Sequence, residues 1–176
     1  EILKETYNRF LPTAKQNYLE FNLQLPEKDF YAPVDKEALT KILSNLFNNA
    51  VKYAQSNIIA QLDIQPESNP NMFMITVSND GTLIPKDMEE DIFKPFVQIK
   101  NTDNGQRTAG TGIGLPLARS LAELHKGKLY LKNEDQICFC VELPITQENV
   151  IQLSKHYIED SPNIPDRHLA TTPENQ

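Results

Sequence analysis

The apolar residues of the chain recur with two periods, one typical of helices and one typical of strands. The longest helical stretch follows Asp35, which suits a helix N-cap because its side chain accepts a backbone N–H. Its apolar positions are Leu39, Ile42, Leu43, Leu46, Phe47, Ala50, Val51 and Ala54. A second helix is predicted over about residues 112–125, with Gly127 placed to end it. A shorter helix is predicted over residues 1–14, ended by Pro12.

Alternation of apolar and polar residues predicts about five strands. Their apolar positions are Leu19, Phe21, Leu23 and Leu25; Ile58, Ala60, Leu62 and Ile64; Phe73, Ile75 and Val77; Leu129 and Leu131; and Ile137, Phe139 and Val141. The second and third strands flank a predicted turn at residues 66–71, so we expect them to pair as a hairpin. The pattern predicts a two-layer α/β sandwich: a mixed, mostly antiparallel sheet with about three helices on one face.

Composition predicts one folded domain with a polar segment after it. Beyond residue 147 the sequence loses its apolar periodicity and carries Pro162, Pro165 and Pro173, which is typical of a linker. We therefore expect an N-terminal segment at residues 1–15, a domain at residues 16–147 and a linker at residues 148–176.

Charge and hydropathy exclude several classes of function. The net charge of -7 and pI of about 5.0 argue against nucleic-acid binding through a basic surface. No apolar run approaches the roughly 20 residues of a membrane span, which predicts a cytoplasmic fragment with no direct membrane contact. Cys138 and Cys140 share one face of a strand, and we interpret them as buried strand residues rather than as a disulfide or a metal site.

Three of the six glycines fall in the stretch Gly-Thr-Gly-Ile-Gly at residues 110–114, which leads directly into a helix. Glycine allows close backbone approach, and a helix N-terminus offers unpaired N–H groups to phosphate. The stretch lacks the lysine of a P-loop and does not follow a strand of a βαβ unit. A tight turn without a ligand is the alternative.

The long helix after Asp35 also carries a polar face. Asn45, Asn49 and Lys52 lie within about 60° of one another at helical spacing. Amide oxygens can bind Mg²⁺, and a nearby ammonium can meet phosphate. A solvated surface is the alternative, but asparagine is a poor helix former, so several asparagines within a strong helix need a reason.

Four segments together resemble the GHKL superfamily and, within it, the catalytic domain of sensor histidine kinases. Residues 45–53 resemble the N box, residues 79–81 the G1 box, residues 92–96 the F box and residues 110–115 the G2 box. The match covers roughly residues 16–145 and implies the Bergerat-type sandwich fold. The finer pattern is similar to hybrid two-component sensors of Bacteroides-type bacteria.

The resemblance implies that ATP and Mg²⁺ bind here. Asn49 would bind Mg²⁺, Asn45 would lie beside the triphosphate and Lys52 would contact phosphate, and these three would carry the catalytic chemistry. Phe93 and Phe96 would anchor a lid at residues 97–110. The other implied nucleotide-binding residues are Tyr53, Asn79, Gly81, Lys100, Arg107, Gly110, Thr111, Gly112, Gly114 and Leu115.

The sequence departs from the family pattern at several positions. The family's G1 box has an Asp that accepts from the adenine amino group, and here that residue is Asn79. Its usual second Gly is Leu83, and a basic residue after the F box is Gln98. We therefore expect weaker ATP affinity. Asp80 neighbours Asn79 but should point elsewhere.

The resemblance also indicates the reaction and the partners. Family members that hydrolyse ATP have a Glu as general base where this chain has Asn45, so phosphoryl transfer is favoured. None of the three histidines, His125, His156 and His168, has the setting of a phosphoacceptor. The implied partners are a separate histidine phosphoacceptor and dimerisation domain and a response regulator receiver domain, in a parent anchored in the inner membrane. A non-catalytic nucleotide- or partner-binding module and a hydrolysing ATPase are the alternatives.

Overall fold

The structure is a computed structural model that describes residues 1–27, 31–64, 71–98 and 110–145. Its helices are α1 (Ile2–Gln16), α2 (Lys36–Tyr53) and α3 (Gly114–Leu124). Its strands are β1 (Glu20–Gln24), β2 (Asn57–Ile64), β3 (Met72–Asn79), β4 (Lys128–Asn133) and β5 (Ile137–Pro144). Two short 3₁₀ helices, Lys86–Met88 and Asp91–Phe93, lie between β3 and α3.

The five strands form one mixed sheet in the order β1-β2-β3-β5-β4. Only the β1–β2 pair is parallel, and the predicted hairpin of β2 and β3 is confirmed, with Ala60 opposite Val77. The other neighbouring strands pair antiparallel, as expected. Burial alternates over most of β2 and β3, where Ile58, Ala60, Phe73, Ile75 and Val77 lie in the core, because successive side chains of a strand point to opposite faces. This arrangement confirms the predicted sandwich.

Helix α1 packs on the same core as the sheet. The rings of Tyr7 and Phe21 lie 4.8 Å apart, those of Phe10 and Phe47 lie 5.6 Å apart, and Ala14 is fully buried. Pro12 lies inside the helix, so the expectation that it ends α1 is wrong: contacts made before and after it outweigh the lost hydrogen bond. Helix α1 and the sheet belong to one compact unit, Glu1–Thr146. The boundary expected at residue 15 stays a prediction.

The ends of α3 differ slightly from the prediction. The helix begins at Gly114 rather than near residue 112, and the left-handed residue after it is Lys126, with φ of 57°, rather than Gly127. Gly127 is required for a steric reason, because an added Cβ would overlap the carbonyl oxygen of Glu142. The glycine thus brings the chain from α3 tightly against β5 on its way into β4.

Candidate ATP site

Helix α2, which carries the polar face, has a side-chain cap at its N-terminus. The side chain of Asp35 accepts a hydrogen bond from the backbone of Ala38 at 2.9 Å, as predicted for an N-cap. The opposite face buries Leu46, Phe47 and Ala50 almost completely, which fixes the rotation of the helix. Asn45 and Asn49 consequently lie one turn apart at the half-buried edge of α2, while their neighbours Asn48 and Lys52 are exposed.

The glycine-rich stretch meets this face of α2. A Cβ atom added to Gly114 would come within 2.8 Å of the side-chain oxygen of Asn45, and one added to Gly110 would come within 3.0 Å of Lys52 Nζ. The amide nitrogen of Asn45 donates to the carbonyl of Lys41 at 3.0 Å, which leaves its oxygen toward the glycine. The structure therefore brings Asn45 and Lys52 together with the start of α3.

The N-terminus of α3 has none of the features that neutralise the start of α2. No side chain caps α3, and its first turn contains no acidic residue. Helix α2, in contrast, has the cap of Asp35 and the carboxylate of Glu37 in its first turn. The free N–H groups and the positive end of the α3 dipole therefore suit an anion. Leu115 contributes only backbone here, since its side chain packs against the core, and Thr111 is exposed.

Two contacts join the chain on either side of residues 99–109. The backbone N–H of Phe96 donates to the carbonyl of Gly112 at 2.9 Å, and the side-chain amide of Gln98 donates to the carbonyl of Gly110. Gly112 has φ of 67°, and a Cβ there would come within 2.8 Å of the Phe96 Cα. Lys100 and Arg107, predicted as phosphate contacts, lie outside the described residues, as does most of the predicted lid.

The two phenylalanines expected to anchor the lid differ in their surroundings. Phe93 is buried, with the guanidinium of Arg119 at 3.5 Å from its ring centroid and the ring of Phe139 at 6.3 Å. Phe96 is 75% exposed with φ of 66°, and its backbone N–H donates to the carbonyl of Gly112. The anchoring of the lid by Phe93 and Phe96 stays a prediction.

The contacts of Arg119 were not predicted from the sequence, which indicates only a cation on a helix surface. Besides stacking on Phe93, it donates to Glu90 at 3.0 Å and to the carbonyl of Leu129 at 3.1 Å. It thus links α3 to the second 3₁₀ helix and to β4. The only hint in the sequence is its place one turn after the apolar Leu115, near the edge of the buried stripe of α3.

The turn after β3 closes the other end of the site. Asn79 is only 3% exposed, and its side-chain oxygen accepts a hydrogen bond from the backbone of Gly81 at 3.0 Å. A Cβ on Gly81 would overlap the carbonyl oxygen of Tyr53, so the turn lies directly against the end of α2. Lys52 Nζ lies 4.7 Å from the ring centroid of Tyr53, which is partly exposed beside this turn.

Asp80 points away from the site, as predicted, and has a structural role that the sequence did not indicate. Its carboxylate accepts from the backbone of Gln55 at 2.9 Å and from the hydroxyl of Ser56 at 2.6 Å. Burial raises the pKa of this carboxyl, but the hydrogen bonds from Ser56, Asn57 and Gln55 lower it more, so the pKa lies well below its usual range. Asp80 therefore fastens the turn to the start of β2.

Within the described residues, no three His, Cys, Asp or Glu side chains come together as a metal site. A metal ion at this site would therefore be bound by amide oxygens and by oxygens of a bound phosphate. Mg²⁺ binds oxygen ligands of these kinds. The half-buried Asn49, one turn beyond Asn45, fits such a role.

Comparison with known proteins identifies the family. A family model described as "Histidine kinase-, DNA gyrase B-, and HSP90-like ATPase" matches residues 34–147. The chain belongs to this family. The matched range contains α2, residues 79–81 and 110–115, and all strands except β1.

Relatives within this ATPase family are sensor histidine kinases. The chain is 28% identical to Sensor histidine kinase WalK of Bacillus subtilis over 117 residues, covering 66% of this chain and 19% of WalK. It is 29% identical to Sensor histidine kinase RppB of Synechocystis over 147 residues, covering 82% of this chain and 32% of RppB. The chain thus spans a third or less of these curated relatives.

The catalytic domain of histidine kinase ThkA is a similar solved structure, with a TM-score of 0.70 and 26% identity. The match covers 82% of this chain and 91% of the ThkA chain. This likeness confirms the fold expected of the ATPase family. The narrower resemblance to Bacteroides-type hybrid sensors stays a prediction. Among the described residues, no helix combines the length and the apolar character that a membrane crossing requires.

Proposed function

We propose that the chain is the catalytic domain of a two-component sensor histidine kinase, which binds Mg·ATP and transfers the γ-phosphoryl group to a histidine of a separate domain. The observation that carries this proposal is the meeting of the uncapped α3 N-terminus with the polar face of α2. Gly114 lies against Asn45, and Gly110 lies beside Lys52. Backbone N–H groups, the ammonium of Lys52 and the amide oxygen of Asn45 thereby lie close together, which is an arrangement suited to a triphosphate.

Each residue of the site has a proposed role. Asn49 holds the metal ion, Lys52 and the first turn of α3 bind phosphate oxygens, and Asn45 positions the triphosphate. When bound, Mg²⁺ neutralises charge on the phosphates. The turn containing Asn79 surrounds the base. Further proposed nucleotide contacts are Tyr53, Gly81, Phe93, Phe96, Lys100, Arg107, Gly110, Thr111, Gly112, Gly114 and Leu115.

Transfer to another protein group is favoured over hydrolysis by the chemistry of Asn45. An amide has no useful basicity, and the Asn45 nitrogen is already committed to the carbonyl of Lys41. The position one turn before Asn49 therefore offers no base to activate water. The chain's own contribution is the positioning of the triphosphate and the stabilisation of its charge.

The partners follow from this reaction. We propose a phosphoacceptor and dimerisation domain that supplies the histidine, and a response regulator receiver domain that takes the phosphoryl group from it. We propose a catalytic domain at residues 16–147, preceded by a segment at residues 1–15 whose helix α1 packs on the same core. Residues 148–176 form a linker toward a further domain. We propose a cytoplasmic location for this part of a parent protein anchored in the inner membrane.

Calorimetric titration with ATP, with and without Mg²⁺, tests the site. We expect a dissociation constant in the micromolar to millimolar range that Mg²⁺ lowers. Asn49→Ala should reduce this Mg²⁺-dependent gain in affinity by about tenfold. The matched control is Asn48→Ala, because Asn48 is an exposed asparagine on the same helix. Absence of binding by the folded chain would favour the non-catalytic module. Equal Mg²⁺ dependence in the Asn49 and Asn48 variants would contradict the metal assignment.

A second assay separates kinase from ATPase. We expect labelled phosphate from γ-labelled ATP to appear on the parent's phosphoacceptor domain when that domain is added. Phosphate release by this chain alone, at a rate that the acceptor domain does not change, would instead support the hydrolysing ATPase.

A further inference from the structure

Asn79 has a buried amide of which only one end has a partner. The residue is 3% exposed, and its side-chain oxygen accepts from the backbone N–H of Gly81 at 3.0 Å. Because only the oxygen of the amide can accept, this hydrogen bond fixes the orientation of the group. No described residue accepts a hydrogen bond from the NH₂ end. Buried donors rarely lack an acceptor, so this NH₂ is available to donate to a ligand or to a water molecule that a ligand can displace.

The orientation of Asn79 is held firmly. Gly81 cannot move toward α2, because the turn already lies against the carbonyl of Tyr53. On the other side, Asp80 is held by hydrogen bonds from Gln55 and Ser56 at 2.6 to 3.1 Å. The hydrogen bond from Gly81 to Asn79 is therefore fixed from both sides of the turn.

We propose that Asn79 makes the nucleotide site accept 6-oxopurine triphosphates, such as ITP, alongside ATP. This inference rests on the proposed function, since it takes residue 79 as the position that contacts the base. Adenine presents an amino donor at its 6-position, whereas hypoxanthine presents a carbonyl acceptor there. A carboxylate can only accept, so it favours adenine and repels the carbonyl. The amide of Asn79 keeps one lone pair for adenine and has an unused NH₂ for the 6-oxo group.

No other group of this turn restores discrimination. Asp80 is the only carboxylate in residues 79–83, and its oxygens face Gln55 and Ser56 rather than the side of Asn79. Leu83 carries no hydrogen-bonding side chain, and the hydroxyl of the exposed Thr82 can both donate and accept, so it does not distinguish an amino from a carbonyl group. The choice between an amino and a carbonyl group at the 6-position therefore depends on Asn79.

The test compares the dissociation constants of Mg·ATP and Mg·ITP, which share ribose and triphosphate and differ at the 6-position and the adjoining ring nitrogen. For the wild-type chain we expect the two constants to agree within about tenfold. Asn79→Asp should raise the ratio of the ITP constant to the ATP constant by at least about tenfold, because it replaces a donor by a second acceptor. The matched control is Asn48→Asp, which adds the same charge on the exposed face of α2 and should leave the ratio unchanged.

The possible results separate this inference from the proposed function. If wild type binds ATP but binds ITP more than tenfold more weakly, the inference is overturned and the proposed function stands. An equal ratio in wild type and in Asn79→Asp overturns the role of Asn79 in the same way. If the folded chain binds neither nucleotide, the proposed function fails and the inference fails with it. The wild-type ratio decides the question even if Asn79→Asp does not fold.

Discussion

Gly114 lies so close to Asn45 that a Cβ atom on the glycine would stand 2.8 Å from the amide oxygen of the asparagine. That amide cannot turn away without losing its hydrogen bond to the carbonyl of Lys41. Contact between α2 and the start of α3 therefore depends on the absence of a side chain at residue 114. Any methyl group there must displace either the amide or the first turn of α3.

We accordingly expect Gly114→Ala to weaken ATP binding by about tenfold, while the domain stays folded. Alanine is a better helix former than glycine, so the effect on α3 itself should be small or favourable. Calorimetric titration with ATP and thermal unfolding followed by circular dichroism measure the two effects. Ser120→Ala, on an exposed position of α3, is the control. Unchanged ATP affinity in Gly114→Ala would show that the contact with Asn45 has no role in binding.

Removal of the Asp80 carboxylate should destabilise the domain in a pH-dependent way. The folded-state pKa of Asp80 lies well below its ordinary value of 3.8, so its contribution is present above that pH and is lost as pH falls below it. We expect Asp80→Ala to lower the free energy of unfolding by about 1–2 kcal/mol at pH 7, allowing for partial solvent exposure. The difference from wild type should shrink between about pH 4 and pH 2.

Urea unfolding across this pH range measures the effect of Asp80. Asp135→Ala removes an exposed carboxylate from the turn between β4 and β5 and controls for the change in net charge. Ser56→Ala should reproduce part of the loss, since it deletes one of the hydrogen bonds that Asp80 accepts. A difference from wild type that is constant with pH would mean that the carboxylate is not the group responsible.

Arg119 should be more important for stability than its salt bridge suggests. Glu90 is 80% exposed, so Glu90→Gln should cost only about 0.5 kcal/mol. Arg119→Met should cost about 1–2 kcal/mol, because it also removes the stacking on Phe93 and the bond to Leu129. Arg119→Lys should recover little of this, since an ammonium lacks the planar fork. Urea unfolding of the three variants tests this order, and equal losses for Glu90→Gln and Arg119→Met would contradict it.

The two cysteines should differ in reactivity. Their sulfurs lie 3.8 Å apart, and a hydrogen bond from Cys140, with the charge of Lys132 opposing the effect of burial, lowers the pKa of Cys138 to about 7. The bond to Cys138 and burial together raise the pKa of Cys140. We expect alkylation by iodoacetamide to show one fast thiol whose rate rises through about pH 7 and which Cys138→Ser removes. Retention of the fast phase in Cys138→Ser would assign it to Cys140 instead.

Much of the fold could be predicted because its elements carry local signals. The stripe from Leu39 to Ala54 can be buried only as a helix, and the alternation at Ile58 to Ile64 can be buried only as a strand. Pro12 was misleading because local propensity is weaker than the contacts of Phe10 and Ala14 on either side of it.

The candidate site was predictable where residue type and spacing carry the chemistry. Asn45 and Gly114 meet as the motifs indicate, because both lie on helices with a clear period. The roles of Arg119, Asp80 and Phe96 were not predictable, because they depend on loops whose course the apolar pattern does not determine. A charged side chain on a helix, such as Arg119, is expected at the surface unless its contact with the ring of Phe93 is known.

The paired contacts of Phe96 with Gly112 and of Gln98 with Gly110 have a consequence for the length of the chain between them. Because Phe96 and Gln98 are hydrogen-bonded to backbone carbonyls of Gly112 and Gly110, the two flanking segments are held to each other directly. A doubling of the chain length between two fixed ends costs only about 0.6 kcal/mol in closure entropy. A reporter peptide grafted between Gln98 and Gly110 should therefore leave α2 and α3 in place.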